Sequence, residues 1–247
     1  GSLSVFTRPY DWAAIDATVR ESGGAILKGF VSNEELSAFN TGIDSYLEIG
    51  KSTGGTNSGS KLYDSLLGNN TIRLHGLIDK VPASEALIGK TELVEWAERL
   101  LLPKATSVLL NAGELIQIQP GEPAQVLHRD TDQWTFVPID KNPIMVNAII
   151  ACARVTKENG ATYVVPGSWQ WDSERQPTES EMVRAEMDAG DTLLFRADTV
   201  HGGGENKSSA PRRALSISYC AGWLRPLENS YLNIPLARVK KLSPKLQ

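Results

Sequence analysis

The sequence holds few of the residues that most often carry out chemistry. Its 247 residues include three histidines and two cysteines. Two thiols cannot build a disulfide-framed scaffold or a four-cysteine zinc site. Cys152 and Cys220 each sit in an apolar, strand-like run, which suits buried free thiols in a reducing, cytoplasmic setting. Basic residues number 25 against 29 acidic, for a net charge of −4. No global positive field is present to draw nucleic acid or an anionic membrane surface. The basic end "RVKKLSPKLQ" is too short to change this and reads as solvated chain. No apolar run reaches the roughly 18 residues of a membrane-spanning helix, and the N-terminus lacks a charged-then-apolar leader. Gly1-Ser2 reads as the remnant of a cleaved tag and is left out of the fold reasoning.

What remains is an ordinary globular composition, 41% hydrophobic and 22% charged. Up to about residue 104 the pattern is mainly helical. "DWAAIDATVRESGG" puts Trp12, Ile15 and Val19 on one face and ends in glycine, a helix stop. After a short apolar strand, "AILKGF", Ser32 and Glu35 have capping-box spacing ahead of the stripe Leu36, Phe39, Ile43, Tyr46 and Leu47. A further helix starts at Thr91. From Ser107 the runs become short, apolar or alternating, and punctuated by proline and glycine. That texture predicts an antiparallel β-sandwich or small barrel. One domain over 1–247 is expected, with a helical part at about 10–104 packed on a β-barrel at about 105–224. The Gly/Ser/Thr/Asn-rich stretch from Lys51 to Lys61 is either a connector or a lid over a pocket.

The chemistry concentrates in "VLHRDTDQW". In extended chain, residues i and i+2 project to one side, so His128 and Asp130 point together and Arg129 points away. An imidazole and a carboxylate side by side can occupy neighbouring positions on one metal ion. His201, in "DTVHGGGENK", is the candidate third ligand. Two histidines and one carboxylate leave positions open for a co-reactant, as non-haem iron oxygenases require. A structural zinc site would instead fill its shell with protein ligands. His75, in "RLHGL", has no matching acid and suits a structural or substrate-side role.

Eleven residues beyond His201, Arg212 opens a strand and shares its face with Ala214, Ser216 and Ser218. A guanidinium aimed into a small barrel is costly without an anion, and its planar fork matches a carboxylate better than lysine can. 2-Oxoglutarate could chelate the metal at one end and pair with Arg212 at the other. Arg213 points to the opposite face.

These motifs, together with "ENGATYVVPGSW", resemble the phytanoyl-CoA dioxygenase family of Fe(II)/2-oxoglutarate oxygenases. The likeness runs from about Gln119 to Leu224, with Trp169 standing where a histidine is usual. "RLHGLIDKVP" and "GWLRPLENSYLNIP" are similar to fungal members that tailor meroterpenoids and alkaloids. The resemblance implies a mainly β fold with flanking helices, the double-stranded β-helix or jelly roll. It also implies Fe(II), 2-oxoglutarate and O2 as cofactor and cosubstrates, with ascorbate helpful in vitro. His128, Asp130 and His201 would be the catalytic metal ligands. Gln125, Thr162 and Arg73 would join Arg212 on 2-oxoglutarate. A homodimer is implied, with the partner's C-terminal region near the active site. Members of the subgroup run on past "LSPKLQ", so a further tail is expected. The presence of Asp130 argues against a halogenase. With few charges near the motifs, an apolar polycyclic terpenoid or alkaloid suits the site better than a CoA thioester. Leu77, Trp134, Trp223 and the 51–61 stretch are candidate pocket walls. The competing classes are a non-catalytic cupin-like binding protein, which leaves Arg212 without an anion, and a zinc hydrolase, which lacks an evident general base.

Overall fold

The computed structural model describes residues 2–48, 66–134 and 136–247; the expected connector or lid at 51–61 lies outside them. Helix α1 (Trp12–Ser22) begins where the Asp11 side chain accepts the Ala14 N–H at 3.0 Å. It ends at Gly23, whose φ of 89° is left-handed and open to glycine at little cost. Helix α2 (Asn33–Glu48) carries the predicted capping box: Ser32 N–H donates to Glu35 at 2.9 Å, and Glu35 N–H to the Ser32 hydroxyl at 3.2 Å. Leu36, Phe39 and Ile43 form its buried stripe. Two short helices, α3 (Leu77–Lys80) and α4 (Ser84–Ile88), lead to α5 (Thr91–Leu101), which buries Leu93, Trp96, Leu100 and Leu101. No helix among the described residues is long and apolar enough to cross a membrane.

The helices cover one face of a seven-stranded mixed sheet. Its strands are β1 (Ser4–Phe6), β2 (Gly24–Leu27), β3 (Thr71–Leu74), β4 (Val108–Ile118), β5 (Met145–Ala151), β8 (Thr192–Arg196) and β10 (Arg212–Ala221). They lie in the order β1-β2-β8-β5-β10-β4-β3, and β1 and β2 pair in parallel while the other pairs run antiparallel. A three-stranded sheet, β7-β6-β9, is built from β6 (Tyr163–Val164), β7 (Val183–Arg184) and β9 (His201–Gly202). The expected fold class is therefore observed, with one correction. The strands form two separate sheets rather than a closed barrel, because the ladders of the large and small sheets do not join among the described residues.

Strand alternation divides the core. Leu215, Ile217 and Tyr219 of β10 join Ile15, Phe39 and Trp96 beneath the helices. Ala214, with Ile149 and Phe195, belongs instead to a second cluster with Val164, Ala185 and Met187 on the small-sheet side. The register of β10 on β4 shifts between Ser218 and Tyr219, and Ser218 there accepts a hydrogen bond from Asn111 at 2.9 Å. Cys152 and Cys220 are buried and unpaired. Burial pushes their thiols up, to about 12 and about 11, so both stay protonated.

Candidate metal centre and its cavity

His128 and His201 are partners in an isolated bridge between antiparallel chains. His128 N–H donates to the His201 carbonyl at 2.9 Å, and His201 N–H returns the bond at 3.0 Å. The extended chain assumed for His128 and Asp130 stops at His128. Asp130 instead opens a 3-10 turn, Asp130–Trp134, pinned where its N–H donates to the Ala197 carbonyl at 2.9 Å. The side chains still converge. His128 Nε2 lies 3.3 Å from Asp130 Oδ1, and His201 Nε2 lies 3.5 Å from Oδ2. One potential ligand atom from each residue falls within 4.8 Å of the others.

Each imidazole is fixed from behind. His128 Nδ1 meets the Val126 carbonyl and His201 Nδ1 the Thr199 carbonyl, both at 2.9 Å. A carbonyl only accepts, so Nδ1 carries the proton and the neutral ring turns the Nε2 lone pair toward the shared point. Asn147, on β5, donates to Asp130 Oδ2 at 2.7 Å. Phe195 meets the His201 ring edge-on with centroids 4.8 Å apart. Burial alone would raise the Asp130 carboxyl, but the two imidazoles and Asn147 hold it down to about 2. Burial lowers His201, favouring the neutral ligand form. Burial also opposes charge on His128, yet Asp130 overrides it and its pKa is raised. The donor set, two neutral-capable imidazoles and an ionised carboxylate, fits a divalent iron ion.

Glycines after His201 let neighbouring chains close in. A Cβ at Gly204 would sit 2.5 Å from the Ala161 carbonyl oxygen.

The triad opens on a cavity of about 480 Å³, which also contains all four residues singled out for a dicarboxylate: Arg212, Thr162, Gln125 and Arg73. Arg212 is 3% exposed. Nη2 donates to the Thr162 hydroxyl at 3.1 Å, and Nε has no partner. Burial without a counter-ion pushes this guanidinium down to about 10. A carboxylate in the cavity would meet the unmatched donor, so the residues present fit a dicarboxylate cosubstrate. Gln125 is tied at both ends to backbone, donating to the Leu66 carbonyl at 2.6 Å and accepting from Gly203 N–H at 2.7 Å. Arg73 pairs with Glu114 at 3.0 Å and donates to the Leu67 carbonyl at 2.8 Å. Arg213 turns to the helical side as its alternation requires, meeting Gln117, Asn40 and Asp44.

The predicted pocket walls need correction. Leu77 is in the helical core at 1% exposure, Trp223 is on the surface donating to the Lys104 carbonyl, and Trp134 borders a different cavity. Phe195, Ile149, Ile116 and Leu227 line the cavity instead. His75 is outside both triad and cavity lining, held between Glu114 and Glu228 at 3.3 and 3.0 Å. Trp169, where a histidine was expected, donates to the Glu21 carbonyl at 3.0 Å and stacks under Arg196, away from the triad. Asn147 was missed, although one amide inside the apolar run "MVNAII" was the available signal.

Known proteins give the same picture. The family model described as phytanoyl-CoA dioxygenase matches residues 19–214. The chain is 31% identical over 234 residues to the dioxygenase olcK of Penicillium canescens, covering 93% of this chain and 76% of that one. It is 33% identical over 237 residues to the dioxygenase aneA of Aspergillus aculeatus, with 93% and 78% covered. Among solved structures, the non-heme alpha ketoglutarate dependent carbocyclase SnoK from nogalamycin biosynthesis shares the fold, with a TM-score of 0.68 and 22% identity over 94% of this chain and 91% of that one. The epimerase SnoN, solved with Fe3+, alpha ketoglutarate and nogalamycin RO, also has a TM-score of 0.68, at 18% identity over 91% and 90%. The chain belongs to the phytanoyl-CoA dioxygenase family and is, like the curated relatives it matches, a dioxygenase.

Proposed function

We propose that this dioxygenase uses iron held by His128, Asp130 and His201, with 2-oxoglutarate anchored on Arg212. We further propose that it oxidises a C–H bond of a largely apolar, polycyclic natural product in secondary-metabolite biosynthesis. The observation that carries the reading is Arg212, a buried guanidinium with an unpartnered Nε, in the same cavity as a metal-ligand triad. Bound iron and 2-oxoglutarate would supply an O2-derived oxidant strong enough for an unactivated C–H bond, with succinate and CO2 as co-products.

The protein's part is placement. Arg212 receives the far carboxylate, and the Thr162 hydroxyl keeps a proton to donate while it accepts from Arg212. Gln125 has one amide N–H beyond its bond to Leu66, and Arg73, paired with Glu114, borders the cavity two strands from Arg212 on the same sheet face. Phe195, Ile149 and Ile116 keep water from the reacting centre and give an apolar surface for the substrate. Hydroxylation, desaturation, rearrangement and endoperoxidation all start from the same hydrogen abstraction, and ångström-scale placement selects among them.

The same proposal takes the chain as one domain, acting in the cytoplasm as a homodimer joined through the segment after Trp223. Tyr231, Leu232 and Leu236 support the dimer, since they are 88%, 82% and 68% exposed on one short stretch. A monomer by light scattering at full activity would refute that part. The direct test of the chemistry is succinate formation from 2-oxoglutarate with Fe(II) and ascorbate. No succinate with any of a panel of polycyclic substrates, from protein that binds Fe(II), would favour a non-catalytic cupin-like protein.

A further inference from the structure

Three arginines lie almost wholly inside the protein: Arg196, Arg212 and Arg129. Arg196 carries its own counter-ion, with Nε and Nη2 each 2.7 Å from an oxygen of Asp198. Its remaining donors reach the carbonyls of Arg20, Lys141 and Asp140. Arg212 has no carboxylate and opens on the triad cavity. Arg129 is the third, and its surroundings repeat the situation of Arg212 in a different place.

Arg129 is 6% exposed. Nη2 donates to the carbonyls of Ser168 at 3.1 Å and Trp171 at 3.5 Å, while the buried Nε has no partner. No carboxylate among the described residues forms an ion pair with it. A second cavity, of about 190 Å³, is bordered by Arg129, Thr131, Asp132, Trp134, Trp171 and Ser173. The buried Thr131 hydroxyl also lacks a partner. Two unmatched polar groups in the wall of one cavity are a costly arrangement unless something in the cavity meets them. The turn from Asp130 to Trp134 is the partition, since Arg129 and Asp132 border both cavities.

We propose that this second cavity binds a small planar monocarboxylate, an aromatic acid, independently of the triad cavity. The guanidinium of Arg129 takes the carboxylate and the indoles of Trp134 and Trp171 flank the ring. The local charges set the limit to one negative charge. Asp198, also on the rim, is paired with Arg196, whereas Asp132 has no cation partner among the described residues and accepts the Arg129 backbone N–H. A phosphate or a dianion would bring its second negative charge against Asp132, and Arg175, the cation stacked on Trp171, is already paired with Glu181.

The test uses the full chain labelled with 5-fluorotryptophan and phenylacetate as the probe, with each resonance assigned by single Trp→Phe replacement. The fluorine signals of Trp134 and Trp171 should move on titration, while that of Trp96, sealed in the helical core, stays fixed. The movement should persist in excess 2-oxoglutarate and be much weaker with neutral phenylacetamide. Arg129→Gln should weaken binding roughly tenfold or more, the usual scale for losing a charged hydrogen-bond partner. Ser173→Phe, at the exposed rim, should block it without touching Arg129, and decides the matter if Arg129→Gln folds poorly. Static Trp134 and Trp171 signals would overturn the proposal. So would competition by 2-oxoglutarate, or binding unchanged in Ser173→Phe.

Discussion

The two faces of the seven-stranded sheet are made from the same strands and do opposite work. On β10, Leu215, Ile217 and Tyr219 face the helices and sit in continuous apolar packing, while Arg212, Ala214 and Ser216 face the cavity. Arg212 and Arg213 are adjacent in sequence and yet show the contrast at its sharpest. Arg213 is matched by Asp44, Asn40 and Gln117 from the helical side. Arg212 finds one hydroxyl and leaves Nε unmatched. A pleated strand thus lets one residue hold a helix on while its neighbour faces a cavity without a counter-ion. Stability and chemistry are separated by half a strand's thickness rather than by distance along the chain.

That separation breaks most visibly at the triad. His201→Ala or His128→Ala should abolish succinate formation, yet leave the circular dichroism spectrum and cooperative unfolding close to wild type. Retained turnover in either variant would remove the metal assignment. Next in size, Arg212→Ala should raise the apparent constant for 2-oxoglutarate at least about a hundredfold, from the ~3–5 kcal/mol cost of breaking a buried pair. Anaerobic titration of the iron-loaded protein reads this, and lysine at 212 should recover only part of it. Arg213→Ala should leave that titration unchanged and cost about 1 kcal/mol of stability, visible as about 2–4 °C in Tm. Equal 2-oxoglutarate affinities in the two variants would erase the contrast.

Asn147 shares the cavity-side face of β5 with Ile149 and donates to Asp130. Its replacement by alanine should weaken iron binding by about 10–100-fold, the usual effect of removing a ligand's supporting bond, with 2-oxoglutarate affinity at saturating iron little changed. The smallest effect lies on the helical side. Burial would raise the Glu35 carboxyl, but Lys90 and Ser32 together lower it below its ordinary 4.5. A depressed folded pKa stabilises above the unfolded value and loses that contribution as pH falls through the folded one. Wild type should therefore exceed Glu35→Gln in stability above about pH 4.5, and the gap should close in more acidic buffer. A gap independent of pH would assign the effect to the capping geometry alone.

Much of this was legible in the sequence because each feature has a local cause. The capping box at Ser32 and Glu35, the glycine stop at Gly23 and the opposed faces of Arg212 and Arg213 follow from spacing alone. The triad was found although its supposed extended backbone was wrong, since a 3-10 turn beginning at Asp130 also brings the carboxylate round to His128. The cavity walls were not legible. Leu77, Trp134 and Trp223 are apolar like true lining residues, and only the packing of distant strands decides which of them reaches the cavity. Whether two sheets join into a barrel depends on hydrogen bonds between segments far apart in the chain, which no short motif encodes.

The position of β10 has a consequence for how the molecule is made. It is the last strand in sequence among the described residues, yet it is inserted between β5 and β4 in the interior of the large sheet. A ribosome that has not yet released residues 212–221 holds a sheet with its central place vacant and two long apolar strands lacking a common neighbour. Such pairings of high sequence separation form slowly and expose sticky edges meanwhile. The growing chain can commit to its final arrangement only once residues 212–221 have emerged, and a stop before Arg212 forfeits the link between β5 and β4 together with the buried guanidinium of the cavity.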